Sequence, residues 1–339
     1  MRSAIVSLAA LLLASALASG KTLSSANNGS DSPSCGTADA PCRSIGQALA
    51  NAADGDTIVV GPGYYGDLNR DHDFGDAGDE ALASPGSGCL CMIPVTKRVI
   101  LKSRDGADVT VIDAALVSRG LYFGAGSSGS QLVGFTIVGG ADAIYADGNA
   151  GVSGLKLTGN VTRGGAGTGF GMYNGASGTL LANHAIGRGS DGFDLQGPAT
   201  VSDAVAQSNA GNGIYTPFTG VKVQKSVLLS NGSFGFSVAS GSAQLKNVSI
   251  LANQQGGILY NSGTGSIASC TVSDNGRAAA QSCGIQNSGA SDFTATGDFW
   301  GGPGGLGVAP SDSRCPFGVD VVTTPFKKTE VKVVPKAIR

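Results

Sequence analysis

The sequence predicts an all-β fold: a single-stranded right-handed parallel β-helix, or solenoid, with a short N-terminal capping helix. Three observations carry the prediction. A Gly-apolar pair recurs about every 22 residues, an asparagine recurs with it, and Gly makes up 55 of 339 residues while charged and aromatic residues are scarce. Gly at that density is costly inside helices and excludes a helical bundle. The absence of a strict Gly-X-Y period excludes collagen.

The first residues lie outside that pattern. Arg2 precedes an apolar run from Ala4 to Leu17, and Ala16-Leu17-Ala18 is a small-x-small cleavage site. Residues 1–18 are therefore expected to be a signal peptide, with Ser19 as the mature N-terminus. The run is too short and wrongly flanked for a membrane span, and no later apolar stretch reaches spanning length. The expectation is an exported protein, secreted or periplasmic, with no membrane span. The formal net charge is −2 with no Lys/Arg run. Nucleic acid is excluded as a partner, because phosphate neutralisation needs a basic footprint.

Residues 19–55 are read as an N-terminal segment ending in a helix. Ser44-Ile45-Gly46-Gln47 has the form of a capping box, Ile45, Ala48, Leu49 and Ala52 follow helical spacing, and Gly55 can stop the helix. Such a helix would cover the open edge of the first coil. Strand Thr57 to Val60 follows at once.

Residues 56–300 are read as the solenoid. Gly171-Met172, Gly192-Phe193, Gly213-Ile214, Gly235-Phe236, Gly257-Ile258 and Gly284-Ile285 align at spacings of 21, 21, 22, 22 and 27, the last carrying a five-residue insertion, Arg277 to Gln281. Asn209, Asn231, Asn253 and Asn275 repeat alongside them. Short alternating segments such as Lys246–Ala252 precede each Asn and read as strands. No unit can bury its apolar face alone, but stacked units share one core. Stacked amides can hydrogen-bond along the column. Asn tolerates the left-handed turn, and Gly supplies positive φ where a coil bends. From Gly301 the repeat is lost, and 301–339 is read as an irregular cap or tail.

Seven cysteines in an exported chain point to disulfides. Cys35 and Cys42 close a short loop and are the expected pair. Cys89, Cys91, Cys270, Cys283 and Cys315 cannot be paired from spacing, and the odd count leaves a free thiol or an intermolecular bond. The acceptor sequences at Asn28, Asn160, Asn231 and Asn247 matter only in a eukaryotic secretory route, and Asn231 sits in the inferred amide ladder.

The ends carry a resemblance. Cys35 through Ala40-Pro41-Cys42, Ser44-Ile45, Gly55-Asp56-Thr57-Ile58-Val59-Val60, Pro62-Gly63 and Tyr64 resemble the N-terminal signature of exported parallel β-helix proteins of the pectin-lyase-like superfamily. Asp298-Phe299-Trp300-Gly301-Gly302-Pro303, Val319-Asp320 and Pro325-Phe326 resemble their C-terminal ends. The resemblance implies the fold. It leaves function open, since that superfamily holds lyases, polygalacturonases, epimerases, phage tailspikes and proteins of no known activity.

This frame carries few candidates for chemistry. Ser190-Asp191-Gly192-Phe193-Asp194 is similar to the Asn-Thr-Asp-Gly element of polygalacturonases, but the next coil reads Gly211-Asn212-Gly213-Ile214-Tyr215, without the Asp pair, and no later His exists. One carboxylate element is short of the two that glycoside hydrolysis uses. Asp194 is the candidate acid or base. A lyase base could be Lys156 or His184, with no carboxylates aligned beside them. Ca²⁺ is the one cofactor with a local candidate: Asp67, Asn69, Asp71 and Asp73 stand at alternate positions, as in the start of a calcium loop, though His72 takes the place of the expected Gly.

The residue after each inward apolar position should point outward. Read down the coils, that column is Tyr122, Tyr145, Tyr173, Asp194, Tyr215, Ser237, Leu259 and Gln286, holding four of the chain's seven tyrosines. Coils about 4.8 Å apart make it a strip about 20 Å long. The expected partner is therefore a polysaccharide or other extracellular glycan bound on Tyr122, Tyr145, Tyr173 and Tyr215. Whether the chain also processes it is open. The alternatives are a non-enzymatic structural or surface β-helix, whose tyrosines only stiffen the sheet, and a pectate-lyase-like or glycoside-hydrolase-like enzyme.

Overall fold

The computed structural model describes residues 20–69, 71, 74, 76, 79–80, 89–115, 119–218, 220–277, 283–307 and 321–336. The expected signal peptide, Asp73, Cys315 and Val319-Asp320 lie outside them. The chain is a right-handed parallel β-helix. Successive strands visit three parallel sheets in turn, with 11 strands in sheet 1 and 9 in each of sheets 2 and 3 among the described residues. Every strand pairs with the strand one coil away.

Alternation sorts the side chains. In sheet 1, Ile58, Leu101, Leu132, Leu157, Leu180 and Val201 stack inward in register and are buried. In sheet 3, Leu121, Ile144, Phe170, Phe193, Ile214 and Phe236 do the same, with Phe170 and Phe193 stacked at 4.8 Å between ring centroids. At about 25 cal/mol per Å² of apolar surface, this shared column is the main favourable term.

The asparagine ladder forms between sheets 2 and 3. The Nδ2 of Asn209, Asn231 and Asn253 each donates to the Oδ1 of the next Asn at 2.9 Å, and also to a backbone carbonyl one coil back, at 3.2, 3.1 and 3.1 Å. A second, shorter ladder joins Asn160 to Asn183 between sheets 1 and 2. Asn160 and Asn231 are both fully buried, so two of the four acceptor sequences are closed to glycosylation.

Neither the ladder Asn nor the repeat Gly takes the left-handed conformation expected of it. The left-handed residue is the one before each ladder Asn: Ser208, Ser230, Ala252 and Asp274, at φ 55° to 61°. The repeat glycines have no positive φ. They are small because the ladder presses on them. A Cβ on Gly192 would lie 2.8 Å from the Asn209 Nδ2, and one on Gly213 would lie 2.5 Å from the Gly235 carbonyl. One repeat position also moves. Phe170 pairs with Phe193, so the repeat pair of that coil is Gly169-Phe170 rather than Gly171-Met172.

The helix spans Ile45–Asn51 and buries Ile45, Ala48 and Leu49. Ser44 caps it by accepting from the Gln47 N–H at 3.0 Å. The reciprocal arm of the capping box is replaced: Asp31 accepts from the Ser44 N–H at 2.9 Å, and the Gln47 side chain goes to Asn51. Glu80 accepts from the Ile45 and Gly46 N–H groups. Strand Thr22–Ser25, ahead of the helix, already pairs with Thr57–Val60 in sheet 1. Cys35–Cys42 and Cys89–Cys91 are disulfides, Cys283 is disulfide-bonded, and Cys270 is free and buried.

Candidate functional site

The tyrosines lie on the outward face of sheet 3, on strands Arg119–Phe123, Asp142–Asp147, Phe170–Tyr173, Phe193–Leu195 and Ile214–Thr216. In register the column reads Tyr122, Tyr145, Gly171, Asp194, Tyr215, Ser237 and Leu259. Tyr173 therefore stands two residues further along its strand than its assigned place. The shift keeps it on the same face, because side chains alternate with period two. Its ring folds back over Gly171, where a Cβ would lie 2.1 Å from the ring. The bare glycine is what lets Tyr173 reach Tyr145, at 4.4 Å between centroids and 30° between planes. Tyr122 follows at 5.8 Å.

These three rings face one another along the solenoid axis. Arg119 lies over Tyr145, 4.0 Å from its centroid. Tyr122 is only 7% exposed and packs with Cys89 and Cys91. The upper end of the column is thus a packed wall, with two of its three hydroxyls fixed by carboxylates. Tyr122 donates to the Asp147 Oδ2 at 3.2 Å, and Tyr173 donates to the Asp142 Oδ1 at 3.3 Å. Burial raises the pKa of all four tyrosines of the column, with the neighbouring carboxylates adding to the rise. Tyr215, one coil beyond Asp194, is half-buried.

Asp194 sits between the ring of Tyr173 and that of Tyr215. It is 9% exposed. Its Oδ2 accepts from the Gln196 Nε2 at 3.2 Å, while its Oδ1 is buried without a hydrogen-bond partner. Burial, reinforced by the charges of Asp191 and Asp142 and opposed by Gln196, pushes its carboxyl up to about 7. Asp191 is also raised by burial, although the backbone N–H and Nδ2 of Asn212 both donate to its Oδ1.

Beneath the face lies a residue that periodicity did not disclose. Arg188 occupies the ladder position before Asn209, and its backbone N–H donates to the Asn209 Oδ1 at 3.0 Å. Its guanidinium is buried and turns into the coils behind. There it donates to the carbonyls of Gly139 at 2.9 Å, Gly140 at 3.1 Å, Ala141 at 2.8 Å and Gly167 at 3.3 Å. Burial brings it down to about 10, which leaves it charged at neutral pH. It thereby fixes the loop that ends at Asp142, the acceptor for Tyr173.

The other candidates do not gather here. Lys156 is exposed on sheet 1 and His184 lies on sheet 2, where burial and Arg163 lower its pKa. Of the calcium candidates, Asp67 is fully buried. Asn69 and Asp71 are exposed, and the Asn69 amide donates to Asp71 at 3.0 Å and Asp76 at 2.6 Å. Asp79 accepts from the Leu68 N–H. Among the described residues the one compact group of ligating side chains, Asp31 with Cys35 and Cys42, contains a closed disulfide.

The family described as "Right handed beta helix region" matches residues 119–299, more than half of the 339 residues. The chain belongs to that family. No curated protein sequence matches it. Among solved structures it is similar to a rhamnogalacturonan lyase, at 16% identity and TM-score 0.66 over 92% of this chain and 90% of that one. It is also similar to the pectate lyase Pel9A, at 17% identity and TM-score 0.55 over 86% and 81%. A third is the A-module of the Azotobacter vinelandii mannuronan C-5 epimerase AlgE4, at 16% and 0.50 over 81% and 89%. At those identities the likeness is one of fold, which is that of proteins acting on polysaccharides.

Proposed function

We propose that this protein is exported and binds a polysaccharide on the outward face of sheet 3. The binding centre is Asp194 with Tyr215, and Tyr122, Tyr145 and Tyr173 form its rigid wall. The observation that carries this reading is the register of aromatic rings on one outward face, in which the half-buried Tyr145 and Tyr215 flank the Gly171 and Asp194 positions. Such rings offer apolar surface to sugar C–H faces, and their polar tips can exchange hydrogen bonds with sugar hydroxyls. Disulfides, which persist in oxidising compartments, support a secreted or periplasmic location.

The test is retention of purified protein on a panel of immobilised glycans, with Tyr215→Ala and Asp194→Ala alongside. Loss of retention in both variants, with unchanged far-UV circular dichroism, is expected. Retention that survives both substitutions would refute the reading and leave the structural β-helix as the better description.

A second reading, catalysis on the bound polysaccharide, is favoured by the same carboxyl, since a group that holds its proton near neutrality can act as a general acid. Unsaturated products or new reducing ends, absent in Asp194→Asn, would establish it. Ca²⁺ at Asp67, Asn69, Asp71 and Asp73 is proposed separately. Adding Ca²⁺ to chelator-treated protein should raise the melting temperature, and an unchanged melting temperature removes the site.

A further inference from the structure

The lysines of the solenoid are gathered on one face. Between positions 98 and 326 the chain has five: Lys102, Lys156, Lys222, Lys225 and Lys246. Four stand at outward positions of sheet 1, on strands Ile100–Ser103, Leu155–Thr158, Val221–Gln224 and Ser242–Lys246, and Lys225 stands in the turn after the third. All five are exposed, and none makes an ion pair or hydrogen bond through its ammonium group among the described residues. Most are whole coils apart in sequence, so they form no basic run, and only the solenoid brings them together.

In register, Lys222 lies beside Gln244, and Gln224 lies beside Lys246. With coils about 4.8 Å apart and about 3.3 Å per residue along a strand, Lys222 and Lys246 stand about 8 Å apart on a diagonal. That is about one Debye length at physiological ionic strength, so the two charges act on one another and on any common partner. The same columns hold Lys102 and Lys156 further up, with Thr179 and Thr200 between Lys156 and Lys222. From Lys102 to Lys246 the strip runs about 29 Å along the solenoid axis. No outward position of sheet 1 between Lys102 and Ala268 holds a carboxylate. At its border Asp105 pairs with Arg104, and Asp203 accepts from the Ser202 hydroxyl.

A strip of unpaired cations fits a polyanion. The exposed side chains among the lysines are Thr179, Gln224 and Gln244, a hydroxyl and two amides that exchange hydrogen bonds with sugar hydroxyls. Val133 and Leu181, the large apolar side chains on these columns, are half-buried, and no aromatic stands there. Single-stranded nucleic acids stack on aromatic side chains and membrane-surface elements bury apolar ones, so this composition favours a sugar polymer.

We infer that the outward face of sheet 1, centred on Lys222, Lys225 and Lys246, binds an anionic polysaccharide. Its acidic groups meet the ammonium groups, and its hydroxyls meet Gln224 and Gln244. This surface is separate from the tyrosine face of sheet 3 and does not depend on the reading proposed for that face.

The experiment measures binding of the full chain to immobilised polygalacturonate and dextran sulfate, beside uncharged galactan and dextran, with duplex DNA and phosphatidylserine vesicles as competitors. Binding to an anionic polysaccharide is expected, weakening at least about tenfold between about 50 and 200 mM NaCl. Lys222→Gln/Lys225→Gln/Lys246→Gln should lose at least about tenfold, and the corresponding triple Arg variant should keep the binding. Lys328→Gln/Lys332→Gln/Lys336→Gln, which removes the same charge from exposed tail positions, should stay within about twofold, as should Tyr215→Ala. Far-UV circular dichroism and melting temperature confirm that each variant is folded. No binding to either anionic polysaccharide, or equal loss in the two triple Gln variants, overturns the inference. So does tighter binding of DNA or vesicles than of both anionic polysaccharides. Loss in Tyr215→Ala alone overturns it as well, and places the polymer on sheet 3, where the earlier reading would stand.

Discussion

Replacing Arg188 tests whether the wall of the site is held from beneath. In Arg188→Ala, the carbonyls of Gly139, Gly140, Ala141 and Gly167 lose donors now 2.8–3.3 Å away, in a position 1% exposed. Hydrogen bonds to charged groups contribute about 1.5–3 kcal/mol each, but groups sharing one partner are not additive. Removing the guanidinium also removes its desolvation cost, which is several kcal/mol. The balance is a loss of about 3–5 kcal/mol, the high end for a single substitution, as expected where a buried hydrogen-bond network is broken. At about 2 °C per kcal/mol for a chain of this size, the melting temperature should fall by about 6–10 °C. Arg188→Met keeps most of the volume but none of the donors, so it should fall nearly as far. Thermal unfolding followed by far-UV circular dichroism gives the loss, and amide exchange at Gly139–Ala143 locates it. Both variants melting within about 1 kcal/mol of the parent, or exchange unchanged in that loop, would refute the claim that these bonds hold the Asp142 turn.

Asp194→Asn should change how stability depends on pH. The folded carboxyl titrates near 7 and its unfolded reference near 3.8. The folded state thus holds the extra proton between those values, and stability falls as pH rises through that window. The variant should match the parent near pH 4 and exceed it by about 1–4 kcal/mol near pH 8, with equal stabilities at pH 8 counting against a buried carboxyl. Asn231→Ala removes two donor bonds and two acceptor bonds from a fully buried position. Chemical denaturation should show a loss of about 2–4 kcal/mol, and under about 1 kcal/mol would mean that the ladder adds little. Cys270 is buried, and burial pushes its thiol up to about 12. In native protein at pH 8 it should resist thiol reagents and react only on unfolding, so rapid native labelling would contradict its burial.

The fold was legible because a solenoid repeats its environment. Each coil meets the same neighbours, so the sequence carries a period, and Asn209, Asn231 and Asn253 all take the same bonds, with Asn275 accepting at the end of the row. What stayed hidden was why each residue type stands where it does. Ser208, Ser230 and Ala252 carry no mark of a left-handed conformation, yet the turn requires one just before each ladder amide. The repeat glycines look like turn residues, but the constraint on Gly192 and Gly213 comes from the next coil, which no single coil discloses.

The site was half legible for a related reason. Outward placement needs only parity, so Tyr122, Tyr145, Asp194 and Tyr215 sorted correctly. Gly169-Phe170-Gly171-Met172 offers two Gly-apolar pairs two residues apart, and parity cannot choose between them. The inward Phe170, stacked on Phe193, decides it. That choice leaves Gly171 bare in the column and Tyr173 free to fold over it. Arg188 was invisible because it breaks the repeat: it stands 21 residues before Asn209, where an amide belongs, and reaches across coils that no period links. Charge, too, enters the face beside the column as well as within it. Asp142 and Asp147 bound the strand Asp142–Asp147, and Asp191 precedes Phe193–Leu195, so the column read alone looked like an aromatic platform. With these included, it is a stack of rings in which the Tyr122 and Tyr173 hydroxyls are fixed by carboxylates. The fold thus comes from the regularity of the repeat, and the particular geometry of this face, with Gly171 under Tyr173 and Arg188 beneath, comes from its breaks.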